Sequence, residues 1–272
     1  MDPELEALRA RIRSGAFRAS TSGLCPRFVQ ANLVVVPERH AADFRLFCER
    51  NSRSCPLIEQ TAPGELAPRA SAPSADLRTD VPRYRVYRHG ELVAEPTDVV
   101  PIWREDLVSF LLGCSFTFES ALAEAGIPLR HQDEDKVVPM YVTNRRCQSV
   151  GSFAGPVVVS MRPVEKSRVA DVCEITSRFP LSHGAPIHSG DPSAIGIARI
   201  AEPDFGQEVS VLDGEVPVFW GCGVTAILAV VAARPELLIT HAPGHMFLTD
   251  STVHSSRSAV AGCDEAARRP GR

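Results

Sequence analysis

The chain has 272 residues, which is long enough to bury a sizeable core in one large domain or two lobes. Its 44% hydrophobic and 23% charged residues are typical of a soluble globular protein. The net charge of -4 offers neither a basic patch for nucleic acid nor a polybasic surface for lipid, so we expect no nucleic-acid partner and no membrane partner. The longest apolar run, 224–233, is about half a membrane span, and the N-terminus lacks the apolar segment of a secretory signal, so we expect a cytoplasmic protein.

The cysteines are scattered along the chain, and no two of them form a C-x-x-C pair. Zinc ribbons and thioredoxin-like motifs are therefore unsupported. In a cytoplasmic chain we expect reduced thiols that pack as small hydrophobes. The eight positions are Cys25, Cys48, Cys55, Cys114, Cys147, Cys173, Cys222 and Cys263.

The first elements in chain order indicate an α/β core. Asp2-Pro3 is typical of a helix start, and apolar residues follow at helical spacing, so we predict a helix to about residue 18. "VQANLVVVP" predicts a strand that ends at Pro37, residues 41–53 predict a helix, and "CPLIEQ" predicts the next strand. This strand–helix–strand order is typical of α/β proteins.

The middle of the chain combines a loop, a hairpin and a predicted helix. Residues 61–80 lack periodicity and predict a long loop, whereas "YRVYRHGELVAE" alternates and turns at His89-Gly90, which predicts a hairpin. Residues 104–125 carry apolar residues on one helical arc, so we predict a helix that can break at Gly113. The acidic "HQDEDK" is typical of a solvated loop.

The C-terminal part predicts the main sheet. "GPVVVSMRPV" predicts a buried strand, 165–178 a helix and 180–197 a long loop. "EVPVFWGC", "GVTAILAVVAAR" and "ELLITH" then predict a strand–helix–strand unit whose strands are parallel and buried on both faces. We therefore predict a layered α/β core with a mixed or parallel sheet, and a disordered tail over 251–272.

The turn in "FWGCGVT" is the first candidate for chemistry. A strand ends at Gly221, Cys222 and Gly223, and a helix containing Thr225 opens at once, so free backbone N–H groups could bind a carboxylate or phosphate. A tight turn without a ligand explains the glycines equally well. Cys222 would be a nucleophile if the helix lowered the pKa of its thiol, but the sequence identifies no base beside it.

Two histidine-bearing stretches supply acid–base candidates. The loop "PIHSGDPSAIGI" carries His188 and also Asp191, which either orients a histidine or only caps a turn. "LLITH" carries Thr240 and His241 to the C-terminal end of a predicted parallel strand, where ligands bind in open α/β sheets. We predict that Thr240 and His241 form one side of an active site. The alternative is a hairpin in which the histidines have no catalytic role. No histidine pair has the spacing of a metal site on a helix, so no metal is predicted.

Further polar residues border apolar elements. Ser115 and Glu119 lie beside the apolar arc of their predicted helix, and Tyr141, Asn144 and Arg145 follow a short strand. Each of them, taken alone, could equally be a capping or surface residue.

Six stretches, taken together and in this order, resemble one known family. They are "GCSFTFE", "VPMYVTN", "GPVVVSMRP", "PIHSGDPSAIGI", "VFWGCGVT" and "ITHAPGHMFLTD". From about 21–24 to Asp250 the chain resembles the hydro-lyase family that is similar to D-glutamate cyclase. The resemblance implies a water-eliminating lyase with a layered α/β core and a smaller α+β subdomain. We expect 1–250 to be a single catalytic unit of two lobes, with the subdomain at about 105–165.

The implied reaction closes D-glutamate to 5-oxo-D-proline. It needs a cradle for the α-carboxylate, a base for the ammonium proton and an acid for the departing hydroxyl. As hypotheses, the 221–225 backbone with Arg145 forms the cradle, and His241 and His188 are the base and acid. Asp191 or Glu119 would orient one of these histidines. No step is a redox step and no G-x-G-x-x-G turn is present, so no cofactor is expected.

Other possibilities stay open. Dehydration of a β-hydroxy acid would use the same parts, so the substrate is defined only as a small carboxylate. Where the resembled family has Pro-Gln after "CGVT", this chain has Ala226-Ile227, which favours a catalytically silent carboxylate-binding protein. A metal hydrolase would instead require stoichiometric zinc or iron. The sequence also leaves a homo-oligomer open.

Overall fold

The computed structural model describes residues 2–255, which form six α-helices, four short 3-10 helices and eleven strands. The helices are α1 (Pro3–Arg13), α2 (Glu38–Arg50), α3 (Phe116–Glu124), α4 (Arg130–Asp133), α5 (Val169–Ser177) and α6 (Val224–Ala233). The strands are β1 (Phe28–Pro37), β2 (Leu57–Gln60), β3 (Tyr84–Arg88), β4 (Glu91–Ala94), β5 (Leu107–Gly113), β6 (Met140–Arg146), β7 (Pro156–Glu165), β8 (His188–Ser189), β9 (Glu215–Gly221), β10 (Leu238–His241) and β11 (Phe247–Thr252).

The strands form two antiparallel sheets. The first has the order β2-β5-β1-β10-β3-β4, and β11 also pairs with β1. The second has the order β6-β7-β9-β8. Because every pairing is antiparallel, the predicted parallel or mixed sheet is wrong, although the predicted mixture of helices and strands is confirmed.

The predicted parallel unit around α6 is wrong for the same reason. β9 belongs to the second sheet and β10 to the first, so α6 connects two sheets and packs against β7 and β10. A continuous apolar strand shows only that both its faces are buried, and helices or loops can cover an antiparallel strand in the same way.

The predicted helix over 104–125 is also wrong in its first half. Leu107–Gly113 is strand β5, and all seven of its residues are buried. The predicted break at Gly113 is where β5 ends, and α3 begins at Phe116. A short apolar run fits a buried helix and a buried strand equally well, so its periodicity could not decide between them. A Cβ at Gly113 would collide with the carbonyl of Leu181, so the glycine permits a close backbone approach.

Most of the other predicted elements are confirmed. The Asp2 side chain accepts hydrogen bonds from the N–H groups of Glu4 and Leu5 and caps α1, which ends at Arg13, earlier than predicted. The predicted hairpin turns at His89 and Gly90, which both have positive φ. The prediction that "HQDEDK" is a solvated loop is wrong in part, because its first three residues belong to α4 and His131 is buried.

β1 lies in the centre of the first sheet, and all ten of its residues are buried. Helices α2 and α6 cover one face, and apolar residues of 72–81 cover the other. In the second sheet, α3 and α5 pack on one face, and the segment 195–209 packs on the other. Helix α3 therefore packs directly against the face of the second sheet that contains β7.

Some predictions about organisation stay predictions. The second sheet takes β6 and β7 from the predicted subdomain at about 105–165, but β8 and β9 from later in the chain. Of the predicted tail, 251–252 belong to β11, and 256–272 lie outside the described residues. Among the described residues, no helix is long and apolar enough to span a membrane.

Candidate active site

A buried ion pair joins α3 to the second sheet. Arg162 on β7 and Glu119 on α3 expose only 1% and 4% of their side chains. Arg162 Nε lies 3.1 Å from Glu119 Oε1, and Nη2 donates to the same oxygen. The arginine occupies a strand position between apolar neighbours, so burial without such a partner would be very costly.

Four further side chains complete this cluster. Arg162 also donates to the hydroxyl oxygens of Ser115 (3.0 Å) and Ser160 (3.2 Å). His131 Nε2 lies 3.1 Å from Glu119 Oε1, and Gln132 Nε2 donates to Oε2 at 2.8 Å. The rings of Phe118 and Trp220 pack beside the guanidinium, with their centres 5.2 and 5.5 Å from its central carbon. We call these residues the Glu119 cluster: Ser115, Glu119, His131, Gln132, Ser160 and Arg162.

The Glu119 carboxyl is ionised at neutral pH. Burial alone would raise its pKa, but the charge of Arg162 and the contact with His131 outweigh burial and lower the pKa to about 2. Glu119 can therefore accept hydrogen bonds or bind a cation, but it holds no proton that it could donate near neutrality.

The Glu119 cluster opens to an adjacent pocket of about 270 Å³. Glu119 and Gln132 line it together with Gln30, Phe116, Ser120 and Glu124. The pocket lies between the outer face of α3 and the segment that leads into β1. A ligand in this pocket would meet the ionised carboxylate of Glu119.

The predicted anion cradle at 221–225 is largely occupied by the protein itself. The N–H groups of Thr225 and Ala226 donate to the carbonyls of Cys222 and Gly223, both at 3.0 Å. The Thr225 hydroxyl accepts the N–H of Val158 at 2.9 Å. These bonds account for the turn without a ligand, and anion binding there stays a prediction.

Both glycines of this turn face close neighbours. A Cβ at Gly221 would lie under 3.0 Å from the Arg53 carbonyl oxygen, and one at Gly223 under 3.0 Å from the Asn32 amide. Asn32 Nδ2 also donates to the Gly113 carbonyl at 2.8 Å, so this one side chain touches the end of β5 and the start of α6.

The turns 113–117 and 221–225 have the same pattern of residues, Gly-Cys-x-apolar-Thr, and each ends a strand and begins a helix. Burial raises the pKa of Cys114 to about 12 and that of Cys222 to about 11, although the N–H of the residue two positions later lowers each value. The suggestion that the helix makes Cys222 a thiolate is therefore wrong, because burial outweighs the field of the helix.

Thr240 and His241 lie away from the Glu119 pocket. Thr240 pairs with Val34 and so shares a face of the first sheet with Asn32, whereas His241 is one residue on and faces the other side. His241 Nδ1 accepts the N–H of Leu33 at 3.1 Å, and burial lowers its pKa to about 4. Because β9 and β10 lie in different sheets, the predicted crevice between adjacent parallel strands is wrong. A catalytic role for His241 stays a prediction.

A second group of the predicted residues lies around the 185–200 segment. Arg145 Nη1 donates to the carbonyl of Ile187 at 3.2 Å, and a Cβ on Gly196 would touch Asn144. The Tyr141 hydroxyl donates to the carbonyl of Ile200 at 2.6 Å, and burial raises its pKa to about 12.

The two remaining candidates lie in the same segment. His188 Nε2 is 2.7 Å from the Asp191 carbonyl oxygen, and its ring stacks on Phe219. The Asp191 carboxylate accepts bonds from the N–H and hydroxyl of Ser193, which lowers its pKa, so it caps the turn as one alternative predicted.

Several residues of the site were missed by sequence reasoning. Arg162 and Asn32 carried a usable signal, because a charged or amide side chain inside a buried strand must have a partner. His131 and Gln132 carried none, since their acidic neighbours indicated a solvated loop. Within residues 2–255, no group of three His, Cys, Asp or Glu side chains is arranged to hold a metal ion.

Comparison with known proteins places this chain among related sequences. A family model described as D-glutamate cyclase matches residues 108–250, which include the whole Glu119 cluster and both Gly-Cys turns. A protein of Stutzerimonas stutzeri (strain A1501) is 55% identical over 90% of this chain and 92% of its own length. A protein of Rubrobacter xylanophilus is 55% identical over 91% of this chain and 96% of its own length. A protein of Bacillus subtilis strain 168 is 51% identical over 89% of this chain and 95% of its own length. The name of all three begins "Putative hydro-lyase".

Proposed function

The chain belongs to the D-glutamate cyclase family, and we propose that it eliminates water from a small amino acid, closing D-glutamate to 5-oxo-D-proline. The family and the names of the relatives support a hydro-lyase in the broad sense. The substrate and the site are our proposals, and the observation that carries them is the ionised Glu119 in the wall of the pocket.

The reaction is balanced within the substrate. The amine nitrogen forms a bond to the γ-carbonyl carbon, one oxygen of the γ-carboxylate leaves, and two protons of the ammonium group leave with it as water. Charge and proton number are conserved overall. The protein therefore has to move two protons from nitrogen to the departing oxygen and hold the two ends of the substrate together.

Glu119 is suited to bind the ammonium group. Its carboxylate is fixed by Arg162 and by Gln132, so it is already oriented before a ligand arrives. Because its pKa is about 2, Glu119 is a poor proton store by itself. His131 lies 3.1 Å behind it, and we assign this imidazole to hold the proton between its removal from nitrogen and its delivery to oxygen.

The roles predicted for His241 and His188 are a competing assignment. Neither histidine lines the Glu119 pocket, and both engage backbone groups. The proposed cradle of 221–225 with Arg145, and the supporting parts of Asp191, Tyr141, Asn144 and Thr240, likewise rest on residue type and position along the chain.

A catalytically silent binding protein is the second candidate. The titratable side chains that line the pocket are Glu119 and Glu124, so no histidine faces the pocket directly. A pocket of this kind would bind an ammonium group without transferring its proton.

The test is incubation of the purified protein with D-glutamate, L-glutamate and a panel of hydroxy acids, with water loss followed by proton NMR. We expect turnover of D-glutamate, reduced about a hundredfold or more in Glu119→Gln and in Glu119→Asp, in line with the loss of a positioned polar group. Glu124→Gln, in the same pocket wall, is the control. Folded Glu119 variants with full activity would remove this site, and binding without water loss would establish the silent protein.

A further inference from the structure

Two arginines outside the Glu119 pocket are held side by side. Arg53 follows α2, and Arg145 lies near the end of β6. Arg53 Nη2 donates to the carbonyls of Ala185 (2.6 Å) and Pro186 (3.0 Å), and Arg145 Nη1 donates to that of Ile187 (3.2 Å). Because these three acceptors belong to consecutive residues, both guanidinium groups contact the same short segment.

Neither guanidinium has an anionic partner within residues 2–255. Most arginines of the described chain form an ion pair with a carboxylate, whereas Arg53 and Arg145 contact only neutral carbonyls. The other N–H donors of both groups find no protein acceptor in this part of the chain. Burial lowers the pKa of Arg53, and the neighbouring positive charge of Arg145 lowers it further.

The backbone that carries these two groups is firmly anchored. The N–H of Ile187 donates to the Phe219 carbonyl at 2.8 Å, which ties the 185–187 segment to β9. The Arg53 carbonyl oxygen lies 3.0 Å from Nδ1 of the buried His183 and packs against Gly221. Two positive charges are thus fixed beside the end of β9, with unused donors.

We propose that Arg53 and Arg145 together bind one oxyanion, a carboxylate or a phosphate. Guanidinium groups match these anions in geometry, and two of them around one anion remove the repulsion between the like charges. This site goes beyond the proposed reaction, because the binding of an ammonium group at Glu119 does not require it.

Isothermal titration calorimetry tests the proposal with inorganic phosphate and with succinate, at an ionic strength held constant with sodium chloride. We expect at least one of these anions to bind at a single saturable site. Saturation by phosphate would identify the ligand as a phosphate, and saturation by succinate would identify it as a carboxylate. Arg53→Gln and Arg145→Gln should each weaken binding roughly tenfold or more, since each removes a charged hydrogen-bond donor. The double variant should show no saturable binding.

Arg146→Gln is the matched control, because Arg146 is the next residue on the same strand and is exposed as Arg145 is, but the hydrogen bonds to the 185–187 segment come from Arg53 and Arg145. We expect it to bind as the wild type does. The proposal is overturned if neither anion binds the wild type, if the double variant keeps wild-type affinity, or if Arg146→Gln weakens binding equally. Glu119→Gln should leave anion binding unchanged, so this test stands or fails separately from the proposed reaction.

Discussion

Arg162 donates to a single oxygen of Glu119 through both Nε and Nη2, with neither side chain more than 4% exposed. One residue belongs to the central strand pair of the second sheet and the other to α3, so the ion pair fixes the helix against the sheet. The stability of the protein and the chemistry of the Glu119 cluster therefore depend on the same ion pair.

We predict that Arg162→Met destabilises the protein by about 3–5 kcal/mol, because it leaves Glu119 buried without its counter-charge. Urea unfolding at pH 7 measures the loss. The matched control is Glu119→Gln/Arg162→Met, which removes both charges and should recover much of the stability. If Arg162→Met is no less stable than the double variant, the ion pair contributes little to the stability of the protein.

The acid stability of the protein should depend on Glu119. Its pKa in the folded protein, about 2, lies below the ordinary value of 4.5, so the unfolded chain takes up the proton first as the pH falls. The stability due to Glu119 is present above about 4.5 and is lost as the pH falls from there towards 2. The free energy of unfolding, measured across this range, should fall less steeply in the double variant Glu119→Gln/Arg162→Met than in the wild type. Parallel curves would contradict the lowered pKa.

His241→Asn should fold with near wild-type stability at pH 7 to 8, because the asparagine oxygen can still accept the N–H of Leu33. The pKa of His241 is lowered from 6.5 to about 4, so the unfolded state protonates first and stability is lost as the pH falls through that interval. The variant should lose less stability there, as measured by thermal melts. Its turnover decides the catalytic prediction: a loss of about a hundredfold places His241 in the reaction, and unchanged turnover makes it a core residue.

Gly223→Ala should destabilise the protein by roughly 1–3 kcal/mol through overpacking against Asn32. The φ of Gly223 is -59°, which alanine adopts freely, so the cost is steric alone. In a double-mutant cycle, the losses of stability in Gly223→Ala and Asn32→Ala should sum to more than the loss of stability in the variant that carries both changes. Gly155→Ala is the control, since its Cβ would meet nothing nearer than 3.9 Å. Additive losses would show that the Asn32 contact is not the cause.

Thiol titration of denatured, non-reduced protein should give close to eight free groups. Seven cysteines of the described residues are free, and the eighth, Cys263, lies outside them. In the native protein we expect slow labelling of Cys114 and Cys222, because burial raises both pKa values and keeps the reactive thiolate scarce. Recovery of only four groups would indicate disulfides.

The sequence predicted elements better than their arrangement. Local signals such as the Asp2 cap and the His89-Gly90 turn act over a few residues, and the structure confirms both. The direction of strand pairing depends on contacts between distant segments, and an apolar strand such as β5 carries no mark of it.

The site shows the same division. Ser115 and Glu119 were predicted, and their partner Arg162 was identifiable in principle as a charge inside an apolar strand. That Arg162 meets Glu119, and not Asp191 or Glu124, follows from the packing of α3 on β7, which no local pattern encodes.

The position of β1 has a consequence for synthesis on the ribosome. This wholly buried strand gains one neighbour, β5, within about eighty residues, but its partners on the other side, β10 and β11, begin only at Leu238 and Phe247. At about 5–20 residues per second, the nascent chain exposes an apolar, unpaired strand edge for some 10–40 s. During that interval the emerging chain presents a template for β-aggregation, which a bound chaperone would shield until the last strands arrive.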